Sequence, residues 1–136
     1  MNRRSIACAL AACCLVASGA RADTRETQRR NLERYTPYLQ DPVESFPFWR
    51  LHEWQLVGPL DVVVWSTIKD AYLVRVRAPC PRLEWARSIA VTSKQSHQVS
   101  ARFDEVLAGG DRCPIEQIRP IDLVRMRADA HDDARR

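Results

Sequence analysis

Beyond residue 14 the chain has two cysteines, Cys80 and Cys113, and proline follows each of them, in "APCPRLEW" and "DRCPIEQI". Bonded to one another they would close a loop of 33 sequence steps, and the chain entropy of that closure is worth about 3–4 kcal/mol. No other feature limits the available folds as much, because a small domain has a net stability of only a few kcal/mol. Whether they bond depends on compartment. An even cysteine count reads as a disulfide in an oxidising space and as metal binding or catalysis in a reducing one.

The first residues, "MNRRSIACALAACCLVASGARAD", have the layout of a secretory signal. Arg3 and Arg4 are followed by an uncharged, largely apolar run of about a dozen residues, short of the ~20 that span a bilayer. Then "ASGARA" places Ala20 and Ala22 in the A-x-A pattern of a signal peptidase site, with cleavage between Ala22 and Asp23. The rival is lipidation at Cys13, where "LAAC" fits a lipoprotein cysteine; an uncleaved anchor is a third option. Cleavage at Ala22 removes Cys8, Cys13 and Cys14. It also removes three of the 21 basic residues and none of the 17 acidic ones, lowering the net charge from +4 to +1. A nucleic-acid partner, which calls for a clustered basic patch, loses most of its support and is not expected. The expected location is the periplasm or the exterior, with membrane attachment only if Cys13 is lipidated.

In that setting Cys80 and Cys113 are expected to form a structural disulfide. A redox pair sits as C-x-x-C at a helix start, and these two are far apart. Zinc needs four ligands, or three with water, and His52, His97 and His131 are not spaced as a pair. The expectation is therefore no metal and no cofactor. Pro81 and Pro114 fix φ and remove a donor at the edges of elements.

After residue 22, "DTRETQRRNLERY" reads as helical, with Asp23 and Glu26 at capping-box spacing and Pro37 ending the helix near Thr36. From Phe46 the signals turn to strand. "LDVVVWST" is a β-branched run, and "DAYLVRVRA" alternates Tyr72, Val74 and Val76 against Arg75 and Arg77; "TIKD" links the two as a hairpin. "PRLEWARSIA" returns to helical spacing through Leu83, Ala86 and Ala90. "QVSARF" is expected to turn Val99, Ala101 and Phe103 inward. Gly109-Gly110 permit the φ > 0 of a tight hairpin, with "RCPIEQI" as the returning strand. Pro120 is expected to introduce a final helix through Ile121, Val124 and Ala128. The sum is an α+β domain: a mostly antiparallel sheet of about five strands, two or three short helices and one disulfide. The expected divisions are a signal segment (1–22), an N-terminal helical segment (23–45), the stapled domain (46–127) and a polar C-terminal tail (128–136).

The sequence has few signs of catalysis. There is no G-x-S-x-G, no H-E-x-x-H and no Gly-rich phosphate loop. Asp104 and Glu105 could act with His97 as acid and base across a cleft, which would make a small hydrolase. A strand ending in a polar turn explains the same carboxylates without a site. Four tryptophans lie in the central part of the chain. They suit core packing in a small domain, and Trp49 and Trp54 beside Arg50 and His52 form a candidate recognition surface for a sugar or peptide.

"AYLVRVRAPCPRLEWARSIAVTS", "VSARFDEVL" and "RCPIEQIRPIDL" together resemble a family of small exported proteobacterial proteins known as a domain of unknown function, many of them predicted lipoproteins. The shared order is a "YL" strand, a "CP" with helix, a strand ending in "FD", then "C-x-I". The resemblance implies that Cys80 and Cys113 are the family's two cysteines; it implies no substrate or ligand. The function expected is a non-enzymatic module of the cell envelope that binds a protein, peptide or glycan. The alternatives are the hydrolase of Asp104, Glu105 and His97, and a tethered assembly factor lipidated at Cys13.

Overall fold

The computed structural model describes residues 19–136, with side chains from Thr24 onward. Cys13 and most of the expected signal segment lie outside the described residues. Helix α1 (Gly19–Tyr35) runs through the expected cleavage point, and a 3-10 turn, Thr36–Tyr38, carries Pro37 at its start. Glu26 lies inside α1 and chelates Arg29 at 2.7 Å, so the expected capping role does not arise.

Eight strands follow, more than the five expected: β1 (Ser45–Pro47), β2 (Glu53–Leu56), β3 (Asp61–Trp65), β4 (Ala71–Val76), β5 (Ile89–Val91), β6 (Gln98–Ser100), β7 (Glu105–Ala108) and β8 (Asp111–Ile121). Helix α2 (Leu123–Ala134) closes the chain. Six strands form one sheet in the order β2-β3-β4-β8-β7-β5, and β1 pairs with β6; every pairing is antiparallel.

Strand β3 explains the layering. Val62, Val63 and Val64 are all fully buried, so the strand has no solvent face and reads as a continuous apolar run. Val62 and Val64 join Val74, Val76, Cys113, Ile115 and Ile118 in the main core, which β1 and β6 cover through Phe46 and Val99. Val63 faces the other way with Leu73 and Ile121, under Tyr35 of α1 and Leu123 of α2. Strand β4 alternates as its sequence implies, Val74 and Val76 inward and Arg75 outward. Arg75 grips Asp61 on the neighbouring strand with two hydrogen bonds, 2.8 and 3.1 Å. Strand β8 pairs first with β7 and then with β4. A bulge between Ile115 and Gln117 lets Cys113, Ile115 and Ile118 share one face despite their mixed parity.

The Gly109-Gly110 hairpin forms as expected, with φ of +57° and +93°. At Gly109 a Cβ would stand 3.1 Å from the Cβ of Arg82. The Cys80–Cys113 disulfide is present, Cα atoms 5.8 Å apart. It ties the loop after β4 to β8, with both half-cystines buried.

Three local expectations are corrected. The "PRLEWARSIA" helix is a single 3-10 turn, Leu83–Trp85, and the chain then becomes β5. Leu83 is buried in the main core beside Cys80, while Ile89, Ala90 and Val91 are drawn onto β7; tertiary pairing overrides local propensity. Strand β6 ends at Ser100, and Phe103, expected inward, is 52% exposed. The backbone turns there, Asp104 N donating to Ser100 O, and Asp104 goes inward instead. Lastly, Pro120 lies within β8 opposite Tyr72, its carbonyl accepting from Gln40 N. The final helix starts only after Asp122, whose carboxylate accepts from Arg125 N at 3.0 Å as an N-cap. It continues through the polar residues of the expected tail.

Candidate functional site

The loop after β1 and the tip of the β3–β4 hairpin face each other across a groove of about 740 Å³. One wall carries Pro47, Trp49, Arg50 and His52, and the other carries residues 66–70 with Tyr72. Three of the four residues singled out as a recognition surface therefore line one groove. Trp54 does not; it lies on β2, half-buried against the main core.

The hairpin tip is internally braced. Thr67 Oγ1 donates to Asp70 Oδ2 at 2.6 Å and accepts from the amides of Lys69 and Asp70 at 3.1 Å each. Arg127 of α2 donates to the Ile68 carbonyl at 2.9 Å. With its polar groups satisfied locally, the tip turns the Ile68 side chain outward, 67% exposed. Across from it Trp49 is 70% exposed, yet its indole is held: it stacks on His97, ring centroids 4.8 Å apart and planes 13° apart. His97 adopts φ +59° and accepts from Phe48 N through its carbonyl. At the floor, Tyr72 stacks on Phe46 at 4.1 Å. Burial raises the Tyr72 hydroxyl's pKa, the Asp70 charge adds to the rise, and Ser66 lowers it.

The groove lining sets Arg50 and Lys69 against one acid, Asp70, a net positive charge. Asp70 is engaged by Thr67, whereas the side chains of Arg50 and Lys69 have no ion-pair or hydrogen-bond partner among the described residues. A second hollow of about 300 Å³ adjoins the first and shares Pro47, Lys69, Asp70 and Tyr72 with it.

The residues considered for hydrolysis are engaged separately. Asp104 is 1% exposed and accepts from Thr92 Oγ1, Lys94 N and Ser100 N, at 2.7–2.8 Å. Glu105 pairs with Arg112 at 2.7 Å, and His97 is stacked on Trp49. Asp104 thus fixes the turn between β6 and β7. Cys80, Cys113 and Asp111 gather their ligand-type atoms within 4.8 Å. The two sulfurs are bonded to each other, however, and Asp111 accepts from Arg82 N at 3.0 Å, so no thiolate is on offer there.

The sequence reading missed Ile68, Lys69 and Tyr72. The signal was an isoleucine in a four-residue turn, where an apolar side chain has nothing of its own to pack against. No described helix is long and apolar enough to cross a membrane. No curated protein and no solved structure matches the chain. A family model does match, over residues 2–136, and the chain belongs to that family, a family of unknown function designated DUF6491.

Proposed function

We propose that this chain is an exported, non-enzymatic binding module of the cell envelope, periplasmic or secreted, whose ligand occupies the groove between Trp49 and Ile68. The observation that carries the reading is the state of Trp49. An indole exposed to this degree and yet fixed by a ring stack loses little conformational entropy on contact, and it stands beside two cations with no partner of their own. Export is supported by the A-x-A pattern at Ala20 and Ala22, and the Cys80–Cys113 disulfide is compatible with an oxidising compartment. The carboxylates of Asp104 and Glu105 are engaged in holding the fold, which favours binding over hydrolysis.

The test is an amide and indole NMR map of the full protein, titrated with fractionated envelope extract. The reading expects one fraction to move signals of residues 47–52 and 66–72 together, and Trp49→Ala to abolish the response. Shifts confined to other faces, or no response to any fraction, would overturn it.

A further inference from the structure

Resting on the groove reading, the geometry of β1 narrows the class of ligand. Ala101 N donates to Glu44 O and Phe48 N donates to His97 O, both at 2.9 Å. Hydrogen-bonded and non-hydrogen-bonded positions alternate along an antiparallel ladder, so Phe46 also turns its backbone groups toward β6. Ser45 and Pro47 turn theirs to the opposite side. Val43 shares that side, and its amide donates to Ile118 O of β8 at 2.9 Å. Beyond Val43 the backbone hydrogen bonding to β8 stops, and β1 faces the smaller hollow, which Ser45 and Pro47 line. Among the described residues the Ser45 N–H, the Ser45 carbonyl and the Pro47 carbonyl have no partner.

One donor and two acceptors on a short extended edge match the backbone of another extended chain. The hollow leads along this edge into the larger groove, and Lys69 lines both. Arg50 lines the larger groove alone and Lys69 stands where the two meet, neither of them ion-paired among the described residues, while Trp49 and Ile68 offer apolar contact for a side chain between. We propose that the cleft takes an extended peptide, which adds to β1 at Ser45 and Pro47 and sets a carboxylate against Arg50 and Lys69.

The experiment uses the full protein and defined probes read by NMR: acetyl-TVTFE with a free C-terminus, its TVTFQ amide, the first peptide N-methylated along its backbone, and oligogalacturonate as an anionic glycan. Expected are shifts of the Ser45 amide and Trp49 indole with acetyl-TVTFE, and about tenfold weaker binding of the amide, the loss of roughly one charge-assisted contact. N-methylation and Ser45→Pro should each abolish binding. Ser45→Pro removes a donor that does not serve β6; should it fail to fold, R50E/K69E replaces it and should weaken acetyl-TVTFE at least tenfold while leaving the amide little changed. Equal binding of the N-methylated peptide overturns the proposal, as does equal binding of the amide. Oligogalacturonate moving the same signals while the peptide does not overturns the peptide and leaves the groove reading standing. Silence of the Ser45 and Trp49 signals to the peptide also overturns it.

Discussion

The indole of Trp49 lies nearly parallel to the imidazole of His97, 13° between planes and 4.8 Å between centroids. That stack goes with a bend at His97, φ +59°, a region uncommon for any residue that carries a Cβ and one that glycine enters without penalty. Ring and backbone contributions can therefore be separated. His97→Gly should remove the stack and keep the turn. His97→Ala should remove the stack and leave the backbone strained, so that it is less stable than the glycine variant by about 1 kcal/mol. Urea unfolding gives the difference; an alanine variant as stable as the glycine one would contradict the account. Both variants should show the Trp49 indole resonance moved and broadened, since the ring that holds it is gone.

The disulfide makes a prediction about origin as well as stability. Protein taken from its native compartment without reduction should begin at Asp23, weigh two hydrogens less than the dithiol form and resist alkylation. A heavier species starting at a lipidated Cys13 would instead make it a tethered protein. For Cys80→Ser/Cys113→Ser, the closed loop of 33 steps sets a stability loss of about 3–4 kcal/mol, measurable as a fall in the urea midpoint. A loss near zero would mean that the native contacts of β8 already hold the loop in the unfolded ensemble.

Asp104 should behave as a structural residue. Its two oxygens receive three donors, and the Thr92 hydroxyl that donates to it also accepts from Glu105 N at 2.9 Å. Asp104→Asn keeps the shape but puts an amide NH2 where a donor already points. The expected cost is about 1.5–3 kcal/mol, the worth of one hydrogen bond to a charged group. Thermal or urea unfolding checks it. A catalytic carboxylate would give the opposite pattern, an Asn variant of unchanged stability.

How far the sequence could be read depended on the range of the interactions. The β3–β4 hairpin was legible because Val62–Val64 and the Tyr72–Val76 alternation are local patterns with a short turn between them. The Gly109-Gly110 hairpin was legible because its backbone needs glycine. Strand β5 was not: three residues carry no period, and Ile89–Val91 become a strand only by lying on β7. Phe103 and Asp104 exchanged places for a similar reason, since what draws Asp104 inward is a set of donors from residues 92–100. Half the groove was visible as Trp49, Arg50 and His52 close together in the chain. Its other half, Ile68 and Lys69, is brought opposite by strand pairing that no local pattern records.

The three tyrosines of the chain all have raised pKa values and should make the fold less stable in alkali. Burial raises the pKa of Tyr35 and of Tyr72 above the ordinary value of 10.0. Tyr38 is raised chiefly by donating to Asp129, at 3.0 Å. A raised pKa means that the folded state holds its phenolic protons more tightly than the unfolded chain does. The associated stability is fully present below pH ~10 and is lost as pH climbs through the folded pKa values. Stability should therefore fall above pH ~10, and phenolate absorbance of the folded protein should rise later than that of the urea-unfolded protein. Tyr35→Phe sharpens the test. At neutral pH it loses the 2.6 Å hydrogen bond to Gln55 Oε1, worth about 1 kcal/mol, but it removes a group whose ionisation opposes folding at high pH. The wild-type and Tyr35→Phe stability curves should accordingly converge as pH rises above 10. Parallel curves, or folded and unfolded tyrosines titrating together, would show that these hydroxyls do not cause the fall.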